Sequence, residues 1–133
     1  MSRKIEDEAK THLLTKYMLP RYSFKQKGTT DKGFDLWMFC IDESPRKVEL
    51  KAHTGVYRRP SHLLDRLIFN SDVERELFES GETVIVRVFL GEKPIRVFVM
   101  TNEILGLGAK LTSQPRFVVR GKINYLDTST ELT

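Results

Sequence analysis

The sequence has little cysteine and no long apolar segment. A single cysteine, Cys40, occurs in 133 residues, which excludes an internal disulfide framework and a zinc site built from cysteines. Because Cys40 lies within an apolar run, we expect it to be a small buried hydrophobe. No apolar run reaches membrane-spanning length, and residues 1–10 are too polar for a secretion signal. These absences predict a cytoplasmic protein without membrane association.

The chain also lacks internal repeats, low-complexity tracts and Gly/Ser-rich linkers. We therefore expect one domain over residues 1–133, with a core over about 4–100 and a C-terminal extension over 101–133. The 22 basic and 18 acidic residues give a net charge of +4. This mild excess permits a polyanionic partner without requiring one.

Apolar spacing and turn residues predict helices packed on a mixed β-sheet, an α/β fold. A helix over 2–20 is expected to end at Pro20, and 63–81 is expected to be helical in two pieces. The second piece would begin at the capping residue Ser71, with Glu74 three residues later, and end at Gly81. A short helix is expected within 101–110, and the polar tail 127–133 is expected to fray. The predicted strands are 21–27, 34–41, 46–54, 82–90, 95–100 and 115–126.

Charged residues interrupt the hairpin formed by "GFDLWMFC" (33–40) and "RKVELKAH" (46–53). Glu49 and Lys51 are two residues apart and so point to the same face of one strand. Asp35 lies on the other arm, and an antiparallel turn would bring all three groups together. Two neighbouring carboxylates repel each other, and a hard divalent cation such as Mg²⁺ relieves that repulsion. With an ammonium group beside it, such a site is suited to phosphodiester hydrolysis.

A simpler interpretation gives the same residues a structural role, without metal binding or catalysis. Asp35 would cap a turn after Gly33, while Glu49 and Lys51 would form an ion pair on a solvated strand face. Judged by residue types alone, this interpretation is favoured, since short motifs often match by chance.

The segments "GFDLW" and "KVELKAH" resemble the core motif of the PD-(D/E)XK nuclease superfamily, which has a restriction-endonuclease-like fold. The resemblance implies that Asp35 and Glu49 are metal ligands, that the Leu50 carbonyl faces the metal, and that Lys51 is the catalytic lysine. The pattern "EDEAKTHL" (6–13) further implies that Glu6 is an acidic residue at the outer side of the metal site. Glu8 is the alternative residue for this role. Phe34 replaces the proline of the superfamily's name.

The resemblance covers roughly residues 4–100 and also rests on element order: a helix, three strands, a helix and a strand. A glycine before the acidic residue, as in Gly33-Phe34-Asp35, occurs in small members such as archaeal Holliday-junction resolvases. The resemblance implies a DNA endonuclease that uses Mg²⁺ or Mn²⁺, in repair, recombination or defence. The alternatives are the same fold used only to bind nucleic acid or a protein partner, and a structural protein.

Basic and aromatic residues flank the hairpin and are candidate contacts to duplex or branched DNA. Tyr57 is suited to stacking on a base, and His53 to carrying a proton. Solvated loop residues are an equally good interpretation of the basic positions. The domain is small for a duplex or junction, so we expect a homodimer or an accessory protein chain. The candidate nucleic-acid contacts are His53, Tyr57, Arg58, Arg59, Lys27 and Lys32.

Overall fold

The computed structural model describes residues 3–17, 21–41, 43–106, 110–112, 117–120 and 129–132. These residues form an α/β fold with a six-stranded mixed sheet and a smaller three-stranded sheet. The helices are α1 (Arg3–Lys16), α2 (Asp72–Ser80) and α3 (Glu103–Gly106), with a 3₁₀ helix at Pro60–Leu64. The strands are β1 (Tyr22–Gln26), β2 (Leu36–Cys40), β3 (Arg46–His53), β4 (Ile68–Phe69), β5 (Thr83–Phe89), β6 (Arg96–Met100), β7 (Lys110–Thr112), β8 (Phe117–Arg120) and β9 (Ser129–Leu132).

The large sheet has the order β1-β2-β3-β5-β6-β9, and the small sheet has the order β4-β8-β7. Within the large sheet, β3 and β5 are parallel and the other neighbours are antiparallel. The segment between β3 and β5 contains the 3₁₀ helix, β4 and α2. The sheet is therefore mixed, as the sequence predicts.

Each face of the large sheet covers its own apolar cluster, because successive strand residues point to opposite faces. The α1 face uses Val48, Leu50 and Ala52 of β3, packed with the buried Ala9 and Leu13 of α1. The opposite face uses Ile85 and Phe89 of β5 together with residues of the 3₁₀ helix, α2 and α3. The principal members of that second cluster are Leu63, Leu64, Leu67, Phe69, Phe78, Ile85, Phe89, Phe98, Met100 and Ile104. Glu49 and Lys51 point to this second face.

The second predicted helix forms as expected. Ser71 has extended backbone angles, and its hydroxyl accepts a hydrogen bond from the Glu74 N–H at 3.2 Å. This bond satisfies one of the backbone donors that a helix start leaves unpaired. Gly81 ends the helix in the left-handed conformation, with φ 87°.

Two sequence predictions are wrong. Residues 63–69 do not continue as one helix: the 3₁₀ helix ends at Leu64, Arg66 has φ 54°, and Ile68–Phe69 is a strand paired with β8. The tail was expected to fray, yet Ser129–Leu132 forms β9 on the edge of the large sheet. In both places pairing with a strand distant in sequence outweighs the local pattern. Pro20 and much of the predicted strand 115–126 lie outside the described residues.

No helix in the described ranges combines the length and the apolar character needed to span a bilayer.

Candidate active site

The turn before β2 positions Asp35 against the edge of β3. Gly33 has φ 86°, and a Cβ atom there would lie 2.9 Å from side-chain carbons of both Leu77 and Val73 on α2. A glycine therefore suits both the backbone angle and the close approach of α2. The chain then reaches Asp35, whose N–H donates to the Val48 carbonyl at 2.7 Å.

The Asp35 side chain makes a second contact with β3. Its Oδ2 accepts a hydrogen bond from the Leu50 N–H at 2.7 Å. In an extended strand the N–H and C=O of one residue point to the same edge. The Leu50 carbonyl therefore points to the edge that Asp35 occupies.

Glu49 and Lys51 are charged residues almost fully removed from solvent. Glu49 is 5% exposed and Lys51 is 6% exposed. The Lys51 Nζ lies 3.3 Å from Glu49 Oε1 and 3.2 Å from Glu74 Oε1. Lys51 thus bridges a carboxyl on its own strand and a carboxyl on α2.

Burial and like charge both act on the Glu49 carboxyl. Burial is the larger cause and the Asp35 carboxylate the next, and together they raise the pKa of Glu49 to about 9, although Lys51 acts in the opposite direction. Glu74 adds to the rise. Asp35 thus binds the backbone of Leu50, the residue between Glu49 and Lys51, whose side chains lie 3.3 Å apart.

Glu74 is a member of this cluster that the sequence reasoning did not place there. Besides Lys51, its Oε1 accepts a hydrogen bond from the Asn70 N–H at 3.1 Å. Its position three residues after Ser71 predicts a capping role, and this role gives no indication of a contact with Lys51. Glu74 lies four residues before the buried Phe78 and so on the same face of α2, and this spacing is the signal that would have placed it against the sheet.

The donor set matches what a hard divalent cation prefers: carboxylate oxygens and a carbonyl. The costly burial of Glu49 beside Asp35 is the physical reason for such an ion, because a cation would lower the pKa that these groups raise. Asp35, Glu49 and the Leu50 carbonyl are the residues that would hold it. Among the described residues, no three His, Cys, Asp or Glu side chains form a ready-made metal-binding group. The protein ligands would thus be two carboxylates and one carbonyl, a small set that leaves positions for water.

A second polar network lies farther along the same face. His53 Nε2 is 2.7 Å from Asp65 Oδ2, and His53 Nδ1 accepts a hydrogen bond from the Gly55 N–H at 2.8 Å. That pattern puts the ring proton on Nε2, and the resulting hydrogen bond is the main cause that lowers the pKa of Asp65. The His53 ring also packs on Phe89, with ring centroids 5.2 Å apart. His53 is therefore held firmly in place.

Arg87 is a fully buried cation opposite Lys51 in the β3–β5 register. Its Nη2 donates to the backbone carbonyl of Asp65. Its Nε and Nη1 have no hydrogen-bond partner among the described residues. Burial lowers the pKa of Arg87 to about 10.

The remaining predicted contacts divide into packed and exposed residues. Tyr57 packs against Phe98 with ring centroids 4.5 Å apart, and the Arg96 guanidinium lies 4.6 Å from the Tyr57 ring. Lys27 Nζ donates to the Phe34 carbonyl at 2.7 Å, which fixes the loop before Asp35. These two residues thus have structural contacts of their own.

The other predicted residues are exposed. Arg58 and Arg59 precede and cap the 3₁₀ helix, and Lys32 lies in the loop before Gly33. Glu6 is exposed on α1, and no hydrogen bond or ion pair within the described residues joins it to the hairpin cluster. Its role as an outer acidic residue stays a prediction.

Comparison of the chain with protein-family models, with curated proteins and with solved structures gives no match.

Proposed function

We propose that this protein is a metal-dependent deoxyribonuclease of the PD-(D/E)XK type, with a restriction-endonuclease-like fold. The observation that carries the proposal is that Asp35 binds the Leu50 N–H, between Glu49 and Lys51, whose buried side chains lie 3.3 Å apart. Burial of the Glu49 carboxyl near the Asp35 carboxylate costs stability, and groups buried at such a cost cluster at functional sites. The order of α1, β1–β3, α2 and β5 supports the same proposal.

In this proposal Asp35, Glu49 and the Leu50 carbonyl hold Mg²⁺ or Mn²⁺, which polarises a phosphoryl oxygen and lowers the pKa of a bound water. Lys51 orients the attacking water or offsets the negative charge that develops on the phosphate. Glu74 contacts the Lys51 ammonium at 3.2 Å, which holds it in place beside Glu49. Glu6 is proposed as an outer acidic residue.

Exposed cations around the hairpin would attract duplex or branched DNA. Arg58, Arg59 and Lys32 are the proposed phosphate contacts, since exposed cations bind the backbone without reading sequence. His53, Tyr57 and Lys27 support this surface through their contacts with neighbouring loops. We propose that the protein acts in the cytoplasm as a homodimer or with an accessory chain, which would enlarge the contact area.

Supercoiled plasmid, a branched junction and a flap substrate, each with Mg²⁺ or Mn²⁺, provide the test. We expect Asp35→Asn, Glu49→Gln and Lys51→Met each to reduce cutting at least about 100-fold, because each removes a group that acts at the reacting phosphate. Glu103→Gln, an exposed carboxyl on α3, is the matched control and should cut like the unmodified protein. Equal cutting by all four variants would identify a contaminant and overturn the proposal.

The two ion pairs of Lys51 favour a second candidate function. They hold the Lys51 ammonium within the cluster, as expected of a fold that binds nucleic acid or a protein without catalysis. This candidate predicts DNA binding that survives Glu49→Gln and no cutting of any of the three substrates.

A further inference from the structure

A pocket of about 290 Å³ opens at the C-terminal end of β3, beyond Lys51. Its volume is near the lower end of the range for small-molecule sites, so it suits a group smaller than a drug-sized ligand. The described residues that line it are Ile5, Ala52, His53, Thr54, Arg66 and Ile68. The pocket thus has apolar walls, one hydroxyl group, one imidazole and one guanidinium.

The β3 side of the pocket is held rigidly. The Leu90 N–H donates to the His53 carbonyl at 2.8 Å, and the Gly91 N–H donates to the Gly55 carbonyl at 2.9 Å. These bonds continue the pairing of β3 with β5 past the ends of both strands. Together with the Asp65 contact, they fix the His53 ring without any bound ligand.

The opposite side is a turn held in an unfavourable conformation. Arg66 has φ 54°, a left-handed angle that costs free energy for a residue with a side chain. The buried Arg87 donates to the carbonyl of Asp65, the residue just before it. Asp65 in turn contacts His53, so the turn is held from two sides.

The Arg66 side chain is 76% exposed, and its ion-pair partner among the described residues is Asp65, with Nε 3.8 Å from Oδ2. This distance is long and Asp65 already accepts from His53, so the guanidinium keeps most of its capacity to bind an anion. A left-handed turn therefore presents an available cation at a preformed pocket.

The position of the pocket indicates its ligand. His53 follows Lys51 by two residues on the same strand face, a rise of about 6.6 Å, which is comparable to the span of one nucleotide. The apolar walls suit the face of a base, the Thr54 hydroxyl suits a polar edge, and Arg66 suits a phosphate.

We infer that this pocket is a nucleotide subsite, which binds the base and phosphate of a nucleotide next to the cleaved phosphodiester, with Arg66 on the phosphate. The inference rests on the proposed function for the position of the cut, and it adds a residue, Arg66, that sequence reasoning did not select. A bound nucleotide here would align the neighbouring phosphate with Lys51 and Glu49.

Binding of deoxythymidine 5′-monophosphate, measured by amide chemical shifts and without catalysis, tests the inference. We expect shifts at Ala52 and Thr54, and weaker binding of the nucleoside without its phosphate. Arg66→Asn removes the guanidinium, and asparagine tolerates the left-handed backbone. It should weaken nucleotide binding about tenfold, equivalent to about 1.4 kcal/mol, and abolish the preference over the nucleoside. Thr54→Trp, at an exposed position, should block the pocket and abolish binding.

Arg21→Asn is the matched control, because Arg21 is an exposed arginine that lines a different pocket. It should leave nucleotide affinity unchanged. Equal affinity in the Arg66→Asn and unmodified proteins, or inorganic phosphate that binds as tightly as the nucleotide, would overturn the inference.

The two proposals fail in different ways. Nucleotide binding that depends on Arg66, in a protein that cuts no substrate, would overturn the proposed nuclease activity. The nucleotide subsite would still be supported. Cutting that is unchanged in Arg66→Asn and Thr54→Trp, together with amide chemical-shift changes only outside the pocket, would overturn the nucleotide subsite. The proposed nuclease activity would still be supported.

Discussion

At the scale of single residues, Glu49 dominates the energetics of the site. Its carboxyl is 5% exposed and lies beside Asp35. The folded protein holds a proton on Glu49 at a pH where the unfolded chain has released it. Stability from this group is therefore present below about pH 4.5 and is lost as the pH rises from 4.5 toward 9.

Glu49→Gln imitates the protonated carboxyl, so we expect the variant to lose this pH dependence. At pH 8 it should be more stable than the unmodified protein by about 1–2 kcal/mol, a typical size for one substitution. Urea unfolding between pH 5 and 9 measures the difference. Mg²⁺ should raise the stability of the unmodified protein at pH 8 and leave Glu49→Gln unaffected.

Glu82→Gln is the control for this measurement. Glu82 is an exposed carboxyl paired with Lys47 at 3.5 Å, and its substitution should leave the pH dependence in place. Parallel stability curves for the unmodified protein and Glu49→Gln would contradict the assignment of the proton to Glu49.

At the scale of elements, β9 closes the edge of the large sheet that β6 would otherwise expose. Leu132 is buried in the cluster on the α1 face, and its carbonyl accepts a hydrogen bond from the Tyr17 hydroxyl at 3.3 Å. Arg96 on β6 binds both carboxylate oxygens of Glu131 at 2.7 Å. The end of the chain is therefore part of the fold.

Leu132→Ala should lower the free energy of unfolding by about 2–4 kcal/mol, because it leaves a cavity in the apolar cluster. Thr130→Ala, at an exposed position of the same strand, should change it by less than about 0.5 kcal/mol. Urea denaturation of both variants provides the measurement. Equal effects of the two substitutions would show that β9 contributes little to the fold.

Strands β5, β6 and β9 show which parts of the fold the sequence predicts. Residues 82–90 and 95–100 are mostly apolar and rich in β-branched residues, and both predictions are confirmed, since local composition there agrees with burial. The tail 127–133 is polar and shows no such signal, so its pairing with β6 could not be read from it. Residues 63–69 carry helical spacing, but Ile68 and Phe69 pair with β8, a partner about fifty residues away.

In the candidate site too, some contacts can be predicted from local sequence and others depend on tertiary packing. Alternation along β3 predicts that Glu49 and Lys51 share a face, and the turn predicts that Asp35 approaches them. The contact of Lys51 with Glu74 depends on how α2 packs across the sheet, which neither segment encodes alone. Likewise, Arg66 lines the pocket because its backbone is left-handed, and the helical spacing of the surrounding residues does not predict that turn.

At the scale of the whole molecule, the net charge of +4 is small, so its distribution governs any binding to DNA. Arg58 and Arg59 place two exposed cations beside each other before the 3₁₀ helix. Glu49 on β3, Glu74 on α2 and Asp35 before β2 surround a single cation, Lys51. We therefore expect Arg58 and Arg59 to contribute more to DNA binding than the cluster does.

Salt dependence of DNA affinity tests that distribution. Arg58→Ala with Arg59→Ala should reduce the slope of log affinity against log salt by about 1.8, since each phosphate contact on duplex DNA contributes about 0.9. Lys16→Ala, at the far end of α1 from Ile5 and the pocket, should leave the slope unchanged. Sedimentation in the same buffers reports whether the protein binds as a dimer. An unaltered slope in the double variant would remove this loop from the interface.

The lone thiol of Cys40 provides a molecular ruler for the site. It lies at the far end of β2 from Asp35, about 16 Å along the strand. A nitroxide spin label attached there would be broadened by Mn²⁺ bound at Asp35 and Glu49, and the extent of broadening would report the separation without altering a ligand. Burial and the nearby Glu43 raise the pKa of this thiol, so the coupling reaction would proceed best in alkaline buffer.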